Sequence, residues 1–587
     1  MTAIAWLVFA VVTLYTIWDG VRRTAGAKTM DAFFAAGRSI PWWAAGLSVM
    51  ATQLSAITLI GGVGMGYENG LEWVQFYFAL PFAMVVLCIW FVDAYRKSPL
   101  LTAYEFLERR FGPGTRSLTS LAFLLSRCLA FSVVLYAPAV VFAAMTGFDI
   151  TVTVWVTGLL TTAYTVIGGV GGVVWTDVKQ MAIIVIGIVA CFVVLLVDVG
   201  SDLGLSGAFS ALGAAGRLNP VEAYDPAWTF APKFAGESTT GSFWADKYNL
   251  WNGLFGTFFL FLSYFGCDQS QVQSILTSKS ADSSRRALLM SAFTKVPLQL
   301  LVLVLGALLF LRQSTQREPL LFDPAMETRA AQLQGEPKSR YEAAKLAHED
   351  AIARRQDAMR RVAGGSASES EHEAAIAAYR GAVKDAATAR KNARTAAFDA
   401  EIQAAKAIGA EFKTPSDANY VFPHFLFSEM PKPILGLLIA AIFAAAISSA
   451  AGALSSLTAA SMVDFYRRWI APQASEQSAL RTSKVVMACW GIAATAAAVQ
   501  FGDGPLLEKV NEIGSFFYGS ILGVFVLALA VPRASGVAAT AGLLTGLLAI
   551  AVVHLTMQFA FLWYNLIGCV VCVATGAVVA AIAPRRD

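Results

Sequence analysis

The sequence predicts an all-α polytopic membrane protein, and three observations predict it. Hydrophobic residues make up 57% of the 587 residues, charged residues make up only 14%, and long apolar runs recur from one end of the chain to the other. Soluble domains carry about 25% charged residues. A run of about 20 apolar residues crosses the ~30 Å hydrocarbon core of a bilayer as a helix. We therefore expect the lipid bilayer as a partner, and no nucleic acid.

The apolar runs number about thirteen. They lie at 3–20, 44–66, 74–95, 118–145, 151–168, 176–198, 249–276, 287–312, 433–462, 484–500, 509–530, 534–553 and 558–582. The first run lacks a basic start and a small-residue cleavage site, so we interpret it as a retained helix. Runs 44–66 and 249–276 contain polar interruptions, and each begins a block of five runs. This pattern predicts discontinuous helices at matching positions of two inverted repeats.

Positive charge alternates between the loops. Lys and Arg are found at 22, 23, 28 and 38, at 96, 97, 109, 110 and 116, at 279, 285 and 286, at 467, 468, 481 and 484, and at 585 and 586. The short loops 67–73, 146–150, 502–508 and 554–557 have none. The positive-inside rule then predicts an N-terminus outside and a C-terminus in the cytoplasm. We expect a multi-pass protein of the plasma (inner) membrane.

Residues 313–420 interrupt the membrane pattern. Two Ala-rich, highly charged runs flank the sequence GGSASES, which predicts a long antiparallel helical hairpin on the extracytoplasmic side. The chain then divides into a first transmembrane part (1–312), the hairpin (313–420) and a second transmembrane part (421–587). The hairpin is either a self-packed insertion or a docking arm for an extracytoplasmic protein partner.

Two polar clusters lie inside apolar runs, at 52–58 (TQLSAIT) and 445–449 (AAISS). Hydroxyls and the carbonyls of an unwound helix are how carriers bind ions at membrane depth. The spacing of Ala445, Ser448 and Ser449 puts all three on one helix face. The alternative is that both serines bond back to carbonyls of their own helix. We find no enzyme motif and no zinc or nucleotide signature, so we expect no enzyme and no organic cofactor.

Four motifs carry a family resemblance: 42–46 (WWAAG), 163–180 (AYTVIGGVGGVVWTDVKQ), 268–273 (DQSQVQ) and the AAISS stretch. They resemble the sodium:solute symporter family, and the similarity covers nearly all of the chain except the hairpin. The resemblance, which includes bacterial sialic acid and monocarboxylate-type members, implies a LeuT-like fold. That fold has ten core helices as a 5+5 inverted repeat, one additional N-terminal helix and two additional C-terminal helices. It implies Na⁺ as the coupling ion, held by Ala51, Leu54, Ala445, Ser448 and Ser449.

A second sodium site of some relatives looks incomplete, because its hydroxyl positions are Ala451 and Gly452 here. Asp177 remains as a residue for a second ion or for gating, with a plain helix cap as the alternative. Proton coupling through Asp177 also stays open.

The resemblance places the solute against the first three core helices. The predicted substrate-binding residues are Gln53, Ser55, Thr58, Gln75, Tyr77 and Arg127, with Tyr136 nearby. An arginine this deep is costly unless it has a partner. In sialic acid transporters an arginine at the matching position holds the substrate carboxylate, so we expect an organic anion such as a sialic acid or a monocarboxylate. Arg127 could instead reach the cytoplasmic face or pair with an internal acid, and the solute could then be a neutral sugar or amino acid. A transporter-like sensor or scaffold that uses the external hairpin is a further alternative.

Overall fold

The computed structural model describes residues 3–24, 40–96, 100–235, 237–316, 318–365, 368–407, 412, 414–500 and 506–582. Within these ranges the regular structure is helical, with no β-sheet. The helices are α1 (Ala3–Thr24), α2 (Trp42–Gln53), α3 (Ala56–Asn69), α4 (Glu72–Arg96), α5 (Ala103–Phe111), α6 (Pro113–Thr146), α7 (Ile150–Ala214), α8 (Asn252–Cys267), α9 (Gln269–Thr277), α10 (Ala281–Thr315), α11 (Pro324–Ala331), α12 (Gly335–Gly364), α13 (Glu369–Ala397), α14 (Asp399–Ala407), α15 (Ala418–Glu429), α16 (Lys432–Ile470), α17 (Glu476–Ala498), α18 (Leu506–Ala530), α19 (Gly536–Thr556) and α20 (Leu562–Ile582).

Nine helical stretches of the described residues are long and apolar enough to cross a membrane. The pair α2 and α3, bent by 57°, adds a tenth if it counts as one span. The other three predicted spans fall on α1, α8 and α17, whose apolar stretches are shorter or more charged. The multi-pass architecture is confirmed, while the number thirteen stays a prediction. The charges at Lys28, Arg38, Lys97, Arg585 and Arg586 lie outside the described residues.

Two predicted spans, 151–168 and 176–198, fall within the single helical assignment α7. Helical hydrogen bonding continues between them, but the helix is not straight. The side chains of Tyr164 and Thr176 are hydrogen-bonded, although twelve residues of straight helix would separate them by about 18 Å. The chain therefore folds back between these two residues. A second change of direction occurs at Gly204. Its φ of 68° lies outside the range of a right-handed α-helix.

The broken pair α2 and α3 packs closely on α10. A Cβ atom on Gly66 would lie 2.4 Å from the Leu303 carbonyl oxygen, and one on Gly306 would lie 2.2 Å from the Val63 carbonyl oxygen. Glycines thus let the two backbones touch, which is a common device between membrane helices. This contact fixes α3 beside α10 and so positions the site described below.

The insertion folds as two antiparallel helices, α12 and α13, that pack through alanines. They do not project freely, because Gly207 of α7 lies against Ala363, and Arg380 donates to the Ala214 carbonyl (2.7 Å). We call the face of the membrane body that meets this hairpin the hairpin side.

Buried ion pairs join the hairpin to the membrane body. Glu318 pairs with Arg355 (2.7 Å) and with Arg390 (3.3 Å). Asp417 pairs with Arg390 (3.0 Å) and Arg394 (2.6 Å). Both carboxylates are buried, so each pair compensates a charge that would otherwise be costly to bury.

Candidate functional site

The first half of the site is the break between α2 and α3. Leu54 has φ −87° and ψ 57°, and Ser55 is extended. The helical hydrogen bonds therefore stop here, and the Ala51 and Leu54 carbonyls accept no hydrogen bond from any described residue. The Thr52 carbonyl accepts one from the Ser449 hydroxyl (3.1 Å). Uncompensated carbonyls at this depth are costly, so the break presents acceptors that a cation can satisfy.

The second half is the serine pair of α16. Ser448 donates its hydroxyl to Asp177 of α7, and Ser449 donates to Thr52 of α2. Neither serine bonds back to its own helix, so that alternative is wrong. Because each hydroxyl hydrogen is used elsewhere, the oxygen lone pairs stay available to a cation. The buried Ala445 lies on the same face of α16, and this set of uncharged oxygens suits a hard cation such as sodium.

Asp177 joins three helices. Its carboxylate accepts hydrogen bonds from Ser48 of α2 and Ser448 of α16. No backbone N–H of a described residue donates to this carboxylate, and its hydrogen bonds come from the two hydroxyls, so it does not act as a helix cap. Gly452 borders a small cavity with Asp177, and a Cβ there would have only Thr52 within 4 Å. The sequence analysis did not anticipate Ser48.

A second helix break occurs at the predicted polar patch 267–271. α8 ends at Cys267, and Asp268 is extended with ψ 119°. The Asp268 carboxylate then caps α9 by accepting from the backbone N–H (2.8 Å) and the hydroxyl (2.6 Å) of Ser270. Both discontinuities that the sequence predicts in the apolar runs are therefore present.

The central cavity lies beside the first break and has a volume of about 100 Å³. Five predicted substrate residues line it together with Ser449 of the serine pair; they are Gln53, Ser55, Thr58, Tyr77 and Arg127.

Two other residues named for the solute do not line this cavity. The Gln75 amide donates to the Tyr248 carbonyl (2.7 Å) and accepts from the Glu222 N–H (3.0 Å). Its polar atoms therefore hold a loop, and its prediction as a substrate contact is corrected. Tyr136 also lies outside the lining.

Arg127 is buried and has an internal acid as partner. Its Nη1 lies 3.6 Å from Asp268 Oδ2, and the Tyr518 hydroxyl donates to the same carboxylate oxygen (3.2 Å). The alternative that Arg127 reaches the cytoplasmic face is therefore wrong, and the alternative pairing with an internal acid is present. Its Nε has no hydrogen-bond partner among the described residues, so the side chain keeps a free donor beside the cavity.

Lys295 of α10 is the main residue that sequence reasoning missed. It is 2% exposed and lines the cavity. Its Nζ donates to the Gln53 carbonyl (3.2 Å) and lies 5.7 Å from the centre of the Tyr77 ring. No carboxylate of a described residue lies within 4.0 Å of it. A lysine inside the apolar run 287–312 was the available signal, because a charge at that depth indicates function.

The cavity is therefore lined by two basic side chains. Arg127 forms its ion pair with Asp268, whereas Lys295 has no carboxylate of a described residue within ion-pair distance. A buried cation without a carboxylate costs free energy unless a ligand compensates it. The arrangement is suited to an anion.

Comparisons with known proteins agree with this picture. The model of the Sodium:solute symporter family matches residues 33–318 and 395–546. A sodium/sialic acid symporter of Proteus mirabilis is 24% identical over 572 residues, which cover 97% of this chain and 93% of that protein. A second one, of Aliivibrio fischeri, is 25% identical and covers 95% of this chain and 89% of its own length. The sodium-coupled monocarboxylate transporter 1 of Mus musculus is 30% identical, but only over 47% of this chain.

A solved structure has the same architecture. It is a substrate-bound, outward-open Na⁺-coupled sialic acid symporter, similar to this chain with a TM-score of 0.73 at 22% identity. The match covers 99% of this chain and 98% of that one. The predicted fold class is thereby confirmed.

Proposed function

The chain belongs to the sodium:solute symporter family, and on that premise we propose that it imports a small organic anion together with sodium. The observation that carries the proposal is the pair of buried cations, Arg127 and Lys295, that face one cavity beside a cluster of uncharged oxygens. Two relatives that match over most of their length are sodium/sialic acid symporters, and they support a carboxylate of the sialic acid or monocarboxylate type.

Sodium binds, in this proposal, at the junction of α2 and α16. Its ligands are Ala51, Leu54, Ala445, Ser448 and Ser449. The free carbonyls of the break and the lone pairs of the serine hydroxyls supply oxygens without a fixed charge. By satisfying both elements at once, the cation holds α2 against α16 and orders the broken segment.

The anion binds in the central cavity. Its carboxylate lies between Arg127 and Lys295, and Gln53, Ser55, Thr58 and Tyr77 contact the rest of the solute. The solute carboxylate compensates the buried charge of Lys295 and lowers the free-energy cost of burying it. The same carboxylate gives the Nε of Arg127 a hydrogen-bond acceptor. Charge-assisted hydrogen bonds of this kind are about twice as strong as neutral ones.

The transport cycle is alternating access driven by the sodium gradient and the membrane potential, the latter worth ~2.3 kcal/mol per charge per 100 mV. We place the hairpin side outside the cell and both the opposite face and the C-terminus in the cytoplasm. Asp177, which holds α7 against α2 and α16, acts as a gating residue or as part of a second ion site.

The test is uptake into proteoliposomes. The labelled panel is N-acetylneuraminate, pyruvate, iodide, proline and galactose, each with and without an inward sodium gradient. The variants are Ser449→Ala and Lys295→Met, with Ser456→Ala as a control. Ser456 is a buried serine of the same helix that bonds back to Ala453 (2.8 Å). We expect sodium-driven uptake of a carboxylate that both variants reduce and the control retains.

Transport of a neutral solute is the second candidate, and the Arg127–Asp268 pair favours it because Arg127 already has a carboxylate. Sodium-driven uptake of galactose or proline that survives Lys295→Met would establish this alternative. Sodium binding without sodium-driven uptake of any panel member would instead favour the sensor or scaffold role.

A further inference from the structure

A second cavity, of about 230 Å³, lies beneath the hairpin. Its floor is the end of α3 at Tyr67–Asn69 and Phe310 of α10. Its walls carry four arginines: Arg217, which follows α7, and Arg355, Arg390 and Arg394 of the hairpin. The function proposed above uses none of these residues.

The arginines are not all neutralised. Glu318 and Asp417 are the two carboxylates that form ion pairs with the three hairpin arginines. Arg217 has no carboxylate of a described residue within 4.0 Å, its Nε has no hydrogen-bond partner there, and its guanidinium lies 4.4 Å from the Phe310 ring centre. Glu68 and Glu72 act on Arg217 only from beyond ion-pair distance.

A second donor in the same wall also lacks a partner. Arg355 is 2% exposed, and its Nε bonds to no described residue. An unsatisfied donor buried this deeply is destabilising unless a ligand accepts from it, and an arginine fork is the group that best matches a planar oxyanion. The carboxylate in the lining that does not pair with an arginine is Glu68, which accepts from Ser416 (3.4 Å).

Family membership does not account for this cavity. Arg355, Arg390 and Arg394 all fall in the stretch between residues 318 and 395, which the family model leaves unmatched. The insertion therefore adds arginines to a family-type membrane body at one particular place. That place is the end of α3, whose opposite end lines the central cavity with Thr58. Ten residues of helix separate Thr58 from Glu68, a distance of about 15 Å.

We propose that the cavity under the hairpin binds the carboxylate of the transported solute before it enters the central cavity. This inference rests on the proposed function for the identity of the solute. Arg217 and Arg355 are the recognising groups, and the three hairpin arginines draw anions to this face. No predicted sodium ligand lines the cavity, so binding here is independent of sodium.

The experiment measures equilibrium binding to the purified full chain in nanodiscs. The probes are labelled N-acetylneuraminate, pyruvate and sulfate, each in sodium chloride and in choline chloride at equal ionic strength. The variants are Arg217→Gln and Arg217→Lys, and the matched control is Arg354→Gln. Arg354 lies on the same hairpin but on its exposed face, where it pairs with Asp350 and Asp385.

We expect a carboxylate to bind in choline, with an affinity that Arg217→Gln lowers about tenfold or more. Arg217→Lys keeps the charge and should lower the affinity less, while Arg354→Gln should leave it unchanged. The graded effect of the Lys variant separates loss of the site from misfolding, which gel filtration monitors in parallel.

Two outcomes overturn the proposal: no binding of either carboxylate in choline, or such binding that is unchanged in Arg217→Gln. Binding of sulfate alone is a case of the first outcome, because the cavity would then be a site for free inorganic oxyanions. Carboxylate binding in choline that sodium does not increase supports the cavity, yet it counts against the proposed function.

Discussion

Replacing Lys295 by Met removes one buried charge and almost no volume. The Nζ atom lies 3.2 Å from the Gln53 carbonyl at the cavity wall, so an anion that binds there sits within about 4 Å of it. At that separation two unit charges attract by about 4 kcal/mol at the effective dielectric typical of proteins. Desolvation offsets part of this, and about 1.5–3 kcal/mol remains for a charged hydrogen bond. We therefore expect the KM for the anion to rise by about 10- to 100-fold.

The assay is initial uptake into proteoliposomes at a fixed inward sodium gradient, with KM and the maximal rate fitted separately. Lys279→Met is the control, because Lys279 is exposed just before α10. Removal of a buried cation without a carboxylate should also raise the melting temperature of the substrate-free protein. A lowered melting temperature would indicate that Lys295 serves structure rather than the solute.

The reasoning is refuted if a carboxylate is transported and Lys295→Met leaves its KM within twofold of the original value. In that case Arg127 alone would bind the anion, despite its pairing with Asp268.

Three further predictions concern other parts of the molecule. Ser449→Ala should raise the sodium concentration for half-maximal uptake by about tenfold or more, whereas Ser456→Ala should not, as sodium titrations of uptake will show. Gly66→Ala should destabilise the protein by about 1–3 kcal/mol, because the added Cβ clashes with the Leu303 carbonyl. Gly213→Ala is the control, because Gly213 has open space around it, and thermal unfolding compares the two variants. Burial acts to raise the pKa of Glu318, but the nearby Arg355 and Arg390 hold this pKa below its usual value. The ionised carboxylate therefore stabilises the folded protein at neutral pH, and this contribution is lost as pH falls through the lowered pKa. Glu318→Gln should therefore weaken hairpin docking by about 3 kcal/mol at pH 7, with a difference that disappears as pH falls through that lowered pKa, as limited proteolysis of the hairpin will measure.

The helix breaks could be predicted from the sequence because their cause is local. A polar cluster inside an apolar run, such as 52–58, cannot leave its polar atoms unsatisfied in lipid. The same logic indicated Ser448 and Ser449, and the structure places both against other helices. The hairpin was equally accessible, since its composition differs so sharply from that of its surroundings.

The partners of single side chains could not be predicted, because they are set by distant segments. Gln75 looks like a cavity residue from its position, yet it bonds to Tyr248, 173 residues away in the sequence. Whether Arg127 meets Asp268 or a solute depends likewise on how α8 and α9 pack beside α6. Lys295 could have been predicted, because the rule that a charged side chain deep in an apolar run indicates function applies to it as it does to Arg127.

The geometry of the break also explains how the two ligands can be coupled. Ser449 bonds to the Thr52 carbonyl and Lys295 bonds to the Gln53 carbonyl, so neighbouring peptide groups connect the sodium site to the anion site. An anion that draws Lys295 away removes one of the two side-chain hydrogen bonds to the Gln53 carbonyl, which also accepts from the Thr58 hydroxyl (2.9 Å), in the segment that sodium orders. Coupling of this kind is reciprocal and is typically worth ~1–3 kcal/mol. The anion should thus increase the affinity for sodium in the unmodified protein, and in Lys295→Met the sodium affinity should no longer respond to it. A sodium affinity that still rises with the anion in that variant would place the coupling elsewhere, with Asp177 as the next candidate.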